Sequence, residues 1–213
     1  MKKFDLRRLV LMVGMSCLLS ACGGGGDNGA GTAADNAAAG AGGAGVAMGT
    51  LRLALTDAPA CGVDKVFVTV DKVRVHQSST SGESEAGWSE IVLAPAKRLD
   101  LLGLTNGVLA ELGQKSLPAG KYQQLRLVLV ENGSTAPFAN AVVPTGSKDE
   151  VALSTPSADQ SGLKIKTNID VIANQTADFV IDFDACKSIV TTGNGNAAKY
   201  LLKPVLTVAA RTS

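Results

Sequence analysis

Leucines at 51, 53 and 55 alternate with Arg52, Ala54 and Thr56, the period of a strand with one face buried. Lys65 to His76 starts the same way with Val66, Val68 and Val70 on one side. Val73 and Val75 then take the opposite parity, so a bulge at Asp71-Lys72 is needed to keep both halves facing one core. Trp88 to Leu93 and Arg98 to Leu102 read as a third and a fourth strand, with Trp88 as a packing residue. Tyr122 to Glu131 carries Leu125, Leu127 and Leu129 against Arg126, Val128 and Val130. It follows Leu117-Pro118-Ala119-Gly120, whose proline and glycine suit a type I turn.

Further strands are predicted at Glu150–Leu153, Leu163–Val171, Ala177–Asp184 and Tyr200–Val208, with Val142-Val143 left inside a loop. Pro204 has no N–H to give, which assigns its position to a sheet edge or a bulge. Val108, Leu109 and Leu112 fall at helical spacing between Thr105 or Asn106 as cap and Gly113 as stop, which predicts one short helix over Thr105–Gly113. Short strands with a turn signal every dozen or so residues, and no long amphipathic helix between them, predict an all-β fold. The expected form is an antiparallel β-sandwich of about eight or nine strands with one short helix.

The first residues follow another pattern. Lys2, Lys3, Arg7 and Arg8 precede an apolar run from Leu9 to Leu19, and Ser20-Ala21 supply small residues before Cys22. A charged start, a short apolar core and a small-residue cleavage site make a secretory signal, and the run is shorter than the roughly 20 residues that span a bilayer. Leu19-Ser20-Ala21-Cys22 resembles the lipobox of a bacterial lipoprotein. That resemblance implies cleavage before Cys22, a thioether-linked lipid on its sulfur, and acyl chains such as palmitate that hold the chain to a bilayer. Gly23 stands where an aspartate would signal retention in the inner membrane, so the resemblance implies the outer membrane of the cell envelope.

Residues 1–21 are therefore read as signal peptide, 22–49 as lipidated cysteine and linker, and 50–211 as the β domain. Eleven glycines and nine alanines fill residues 23–49, a composition that cannot bury a core. Removing the signal changes the formal charge from 20 − 19 = +1 to 16 − 18 = −2. An acidic balance without a basic run argues against nucleic acid as a partner. Of the four cysteines, Cys17 leaves with the signal and Cys22 is lipidated. Cys61 and Cys186 are then left in a compartment where disulfides persist. Their bridge would close a loop of 125 residues, adding about 4–5 kcal/mol on chain entropy. Two buried thiols or a metal pair are the alternatives.

Several stretches together resemble a bacterial lipoprotein family known as a domain of unknown function, DUF4382. They are Leu55-Thr56-Asp57-Ala58-Pro59, Leu117-Pro118-Ala119-Gly120-Lys121-Tyr122, Pro156-Ser157 with Gln160-Ser161-Gly162-Leu163-Lys164-Ile165, Asp182-Phe183-Asp184 with Lys187-Ser188, and Tyr200-Leu201-Leu202-Lys203-Pro204. The resemblance implies no activity.

Chemistry is sparse. Asp182 and Asp184 share a strand face opposite Phe179, Ile181 and Phe183, and two such carboxylates repel unless something neutralises them. Calcium would do so through oxygen ligands, with Asp57, Asp170 or Asp178 as further donors. Lys187, Lys164 or Lys203 would do so as ion pairs, and solvent exposure would remove the need for either. The lone histidine, His76, must carry any Ser–His or Cys–His nucleophile system, and no nucleophile elbow surrounds it. The expectation is a non-enzymatic, membrane-anchored binding domain without a cofactor, whose partner is an envelope protein or a glycan. A calcium-dependent carbohydrate-binding or adhesive module is one alternative and an envelope hydrolase the other.

Overall fold

The computed structural model describes residues 45–57, 62–156, 158, 160–193 and 198–211. These fold as two β-sheets with a shared core, the sandwich-like arrangement expected from the alternation. The detail differs: twelve strands are present among the described residues, and two of the strand pairings are parallel.

The smaller sheet has the order β12-β9-β1-β4, formed by β1 (Met48–Asp57), β4 (Ala110–Pro118), β9 (Thr176–Phe183) and β12 (Leu206–Ala210). β1 starts two residues before the boundary expected at 50. Leu51, Leu53 and Leu55 are fully buried on its inner side. β9 lies parallel to β1, with Leu53 opposite Phe179 and Asp57 opposite Phe183.

The larger sheet has the order β10-β11-β7-β6-β2-β5-β8, with β3 on the other side of β2. Its strands are β2 (Val63–His76), β3 (Ser89–Asp100), β5 (Gly120–Leu129), β6 (Ala141–Pro144), β7 (Val151–Ser154), β8 (Leu163–Val171), β10 (Ile189–Thr192) and β11 (Lys199–Leu202). The register of β2 slips between Val70 and Lys72 against both β3 and β5. The bulge stands where the change of parity required it, and all five valines from Val66 to Val75 are buried.

No helix forms over Thr105–Gly113. Asn106 and Gly107 turn the backbone through φ 58° and 82°, and the chain then runs as β4 along β1. The register slips between Leu53 and Ala54 of β1, opposite Gly113 and Glu111. A strand with such a bulge puts Ala110 and Leu112 on one side as well as a helix would, and pairing with β1 decides between them. Val108 is left exposed. Gly113, at φ 124°, would place an added Cβ 2.9 Å from Ile91 Cγ2. Gly113→Ala is therefore expected to lower stability by about 1–2 kcal/mol in urea titrations, from backbone strain and crowding together.

Three other expectations change. The third and fourth strands are one, β3, whose register against β2 shifts between the Lys72–Val92 and Val70–Lys97 pairs. Val142-Val143 is strand β6, not loop. The stretch Tyr200–Val208 divides into β11 and β12, and Pro204 lies in the segment that leaves one sheet for the other. The described residues contain one short α-helix, α1 (Ala185–Ser188), and a 3-10 turn at Leu101–Leu104 that packs on both β1 and β2.

Candidate functional site

Three of the five motif stretches meet where β1 and β9 end. Asp57, 5% exposed, closes β1, and its Oδ1 accepts the Ala185 N–H at 2.8 Å. Asp184, expected as the last residue of its strand, lies one residue past β9 and caps α1, accepting the Lys187 N–H at 3.0 Å and Lys187 Nζ at 2.7 Å. Ser188, fully buried, accepts the Val205 N–H on its Oγ at 2.8 Å and the Lys203 N–H on its carbonyl at 2.8 Å. Carboxylates at the first turn of a helix satisfy N–H groups that have no partner within it. Asp57, Asp184 and Ser188 therefore hold backbone at this end and are not gathered around an empty site.

Of the acidic residues weighed as calcium donors, Asp182 and Asp184 both act on the Lys187 ammonium, while Asp57, Asp170 and Asp178 are placed elsewhere. Asp57 lies opposite Phe183, on the inner side, whereas Asp182 lies opposite Thr56 and Thr207, on the outer side. Asp170 pairs with Lys121 at 3.0 Å. Asp178 binds Arg52 through Nε at 3.1 Å and through Nη2. Of the lysines considered as neutralisers, Lys187 takes that part at Asp184. Among the described residues no three His, Cys, Asp or Glu side chains converge. Cys186 is the second residue of α1, while Cys22 and Cys61 lie outside the described residues.

A cavity of about 770 Å³ opens beside the Asp178 network, lined by Arg52, Asp170, Thr176, Asp178, Phe179 and Arg211 among others. Arg211 reaches Glu111 at 2.8 Å and Asp178 at 3.9 Å. Hydrogen bonding from Arg52 holds the Asp178 carboxyl below the usual carboxylate range, and Lys187 does the same at Asp184. A folded-state pKa below the unfolded value of about 3.9 contributes stability that is present above that pH. The contribution is lost as pH falls through the lowered value. Urea midpoints are expected to drop on acidification from about pH 5 to about pH 2, and to drop less steeply in Asp178→Asn/Asp184→Asn.

The third polar assembly lies on the outer face of the larger sheet. His76 Nδ1 accepts the Ser78 N–H at 2.9 Å and stands 2.7 Å from Ser81 Oγ, while Nε2 stands 3.0 Å from the Ala86 carbonyl. A ring nitrogen that accepts a backbone N–H carries no proton, so Nε2–H donates to Ala86 and Ser81 O–H donates to Nδ1. This Ser–His contact was not legible in the sequence, because Ser81 sits in a polar loop without a motif. Ser81 is 2% exposed and His76 9%, so the pair fastens the loop and leaves no hydroxyl open to a substrate. Trp88 stacks beside it, its ring 5.1 Å from His76, 4.7 Å from the Arg74 guanidinium and 5.0 Å from that of Arg126. The Ser81 carbonyl accepts from Gln124 and Arg126, and Trp88 Nε1 donates to the Gly82 carbonyl.

A family profile described as "Domain of unknown function (DUF4382)" matches residues 48–204. The chain belongs to this family. The matched segment of this DUF4382 chain opens on the first residue of β1 and runs through β11, leaving β12 outside it. No curated protein and no solved structure gives a significant match.

Proposed function

We propose that this chain is a bacterial lipoprotein of the cell envelope, held to the outer membrane through acylated Cys22, whose β domain is a non-enzymatic binding module. The observation that carries this reading is Leu19-Ser20-Ala21-Cys22 directly after a basic and then apolar N-terminus. Gly23 in place of aspartate favours the outer membrane. Among the described residues no helix is long and apolar enough to cross a membrane, so a lipid on Cys22 supplies an attachment that those helices do not. The module reading draws support from the side chains themselves: Asp57, Asp184, Ser188, His76 and Ser81 are occupied in holding backbone. Mass spectrometry of the N-terminal peptide from isolated membranes is expected to find Cys22 as first residue, acylated. An uncut chain with a free thiol there would overturn the assignment.

A Cys61–Cys186 bridge belongs to the same proposal. Cys186 follows Ala185, whose N–H Asp57 holds, and Cys61 follows Asp57 by four residues. Four residues reach about 13 Å when extended, enough to bring the two sulfurs together. Thiol labelling of the unreduced, denatured protein is expected to modify neither cysteine.

A further inference from the structure

Four side chains lie in one row across the outer face of the larger sheet. Glu90 of β3 is opposite Arg74 of β2, Arg74 is opposite Arg126 of β5, and Arg126 is opposite Lys164 of β8. In the next row Lys166 is opposite Gln124, and on the far side of Arg74 lies Lys72. Five cations therefore share this face. Like charges directly opposite on adjacent strands repel, so each must be compensated.

The compensation is uneven. Glu90 takes Lys72 at 3.2 Å and Arg74 at 2.9 Å. Arg126, 7% exposed, has the carbonyls of Ser161 and Ser81 at 2.9 and 3.2 Å and the Trp88 ring, but no carboxylate among the described residues. Lys164 and Lys166 are exposed and have no acidic partner among those residues. Lysines on an edge strand deter strand pairing, which would account for these two alone. It does not account for two arginines placed in register behind them.

We propose that this face binds an acidic polysaccharide, its carboxylates held by Lys164 and Lys166 and its sugar rings laid beside Trp88. The proposal rests on the binding-module reading of the domain, though not on the lipid anchor. Charge complementarity selects an anion, and the exposed lysines two positions apart on β8 select one that repeats its charge along a chain. A membrane surface would call for exposed apolar side chains beside the cations. Here Val92, 60% exposed and opposite Lys72, is the one large apolar side chain exposed on this part of the sheet. A duplex nucleic acid carries one charge per about 1.7 Å of axis, a density poorly matched to two free lysines in a chain that is acidic once residues 1–21 are gone. A polyuronate carries one carboxylate per sugar.

The test uses the full chain in detergent, with alginate as polyuronate, dextran as neutral polymer, vesicles of phosphatidylglycerol and phosphatidylcholine, and duplex DNA. Alginate is expected to bind and dextran not, with affinity falling as salt rises. Lys164→Glu/Lys166→Glu is expected to weaken alginate binding at least about tenfold, and Lys164→Gln/Lys166→Gln by less. Lys115→Glu/Lys148→Glu, on exposed lysines elsewhere, should leave it unchanged, and circular dichroism should be the same for all. Equal binding of dextran, alginate binding indifferent to Lys164 and Lys166, or retention by vesicles or DNA in preference to alginate would each overturn the proposal. The Cys22→Ser chain is expected to bind alginate as the acylated one does, so a failed anchor and a failed glycan site give different results.

Discussion

Cys22→Ser is expected to move the protein from the membrane pellet to the soluble fraction of fractionated cells. The wild type should stay with the pellet through washes at high salt and high pH and leave it only in detergent. A single acyl chain binds a bilayer with a constant of only about 10⁴ M⁻¹, and each further buried CH₂ adds on the order of 0.8 kcal/mol. Two or three chains on one residue therefore hold almost without exchange, and a serine carries no thioether. Among the described residues the large hydrophobics left exposed are Val46, Met48, Val92, Val108, Ile172 and Val205, far less apolar area than two or three acyl chains bury. If the variant still pelleted like the wild type, some contact other than the lipid would be holding the chain.

Phe183→Ala is expected to lower the free energy of unfolding by about 3–5 kcal/mol, and the melting temperature by roughly ten degrees. Phe183 is fully buried and lies between Asp57 of β1 and Leu206 of β12 in the sheet register. Removing the ring forfeits its transfer from water and opens a cavity under the strand that carries Asp182 and leads into α1. Neighbouring strands cannot collapse into that space without breaking the pairing of β9 on both sides. Phe179, two pairs along the same face and only half-buried at the mouth of the cavity, should cost less when replaced. Urea titration separates the two: midpoints should fall in both variants, and the slope should stay constant if the native state keeps its compactness.

The alternation of residues located most of β1, β2, β5, β8 and β9, because a strand with one buried face writes its period into the chain. The bulge in β2 was legible for the same reason, as valines cannot change parity and remain inside without an extra residue. The region from Thr105 to Gly113 was misread because Val108 and Leu109, which complete the helical spacing with Leu112, precede a strand in which Ala110 and Leu112 supply the buried positions. β1, more than fifty residues upstream, settles the choice by offering backbone partners. Of the motif residues, Asp57, Asp184, Lys187 and Ser188 were visible as a set of names. Their task, satisfying the N–H groups around α1, became visible only with β1 and β9 side by side. The basic face escaped entirely: Arg74, Arg126 and Lys164 sit in stretches of mixed charge, and no run of lysines announces them.

The chain by itself determined its class as a two-sheet β protein, the basic-then-apolar order of residues before Cys22, and its membership of the DUF4382 family. These are local properties, set by side-chain period, by the order of charged, apolar and small residues, and by short motifs in sequence. Tertiary structure alone decided the parallel pairing of β1 with β9 and the strand at Ala110–Pro118. It alone separated Asp57 from Asp182 across the sheet, brought Ser81 against His76, and aligned three cations across β2, β5 and β8. Each of these depends on which strands become neighbours and in what register, and that choice is made by burial of the whole core at once, which no single stretch of residues records.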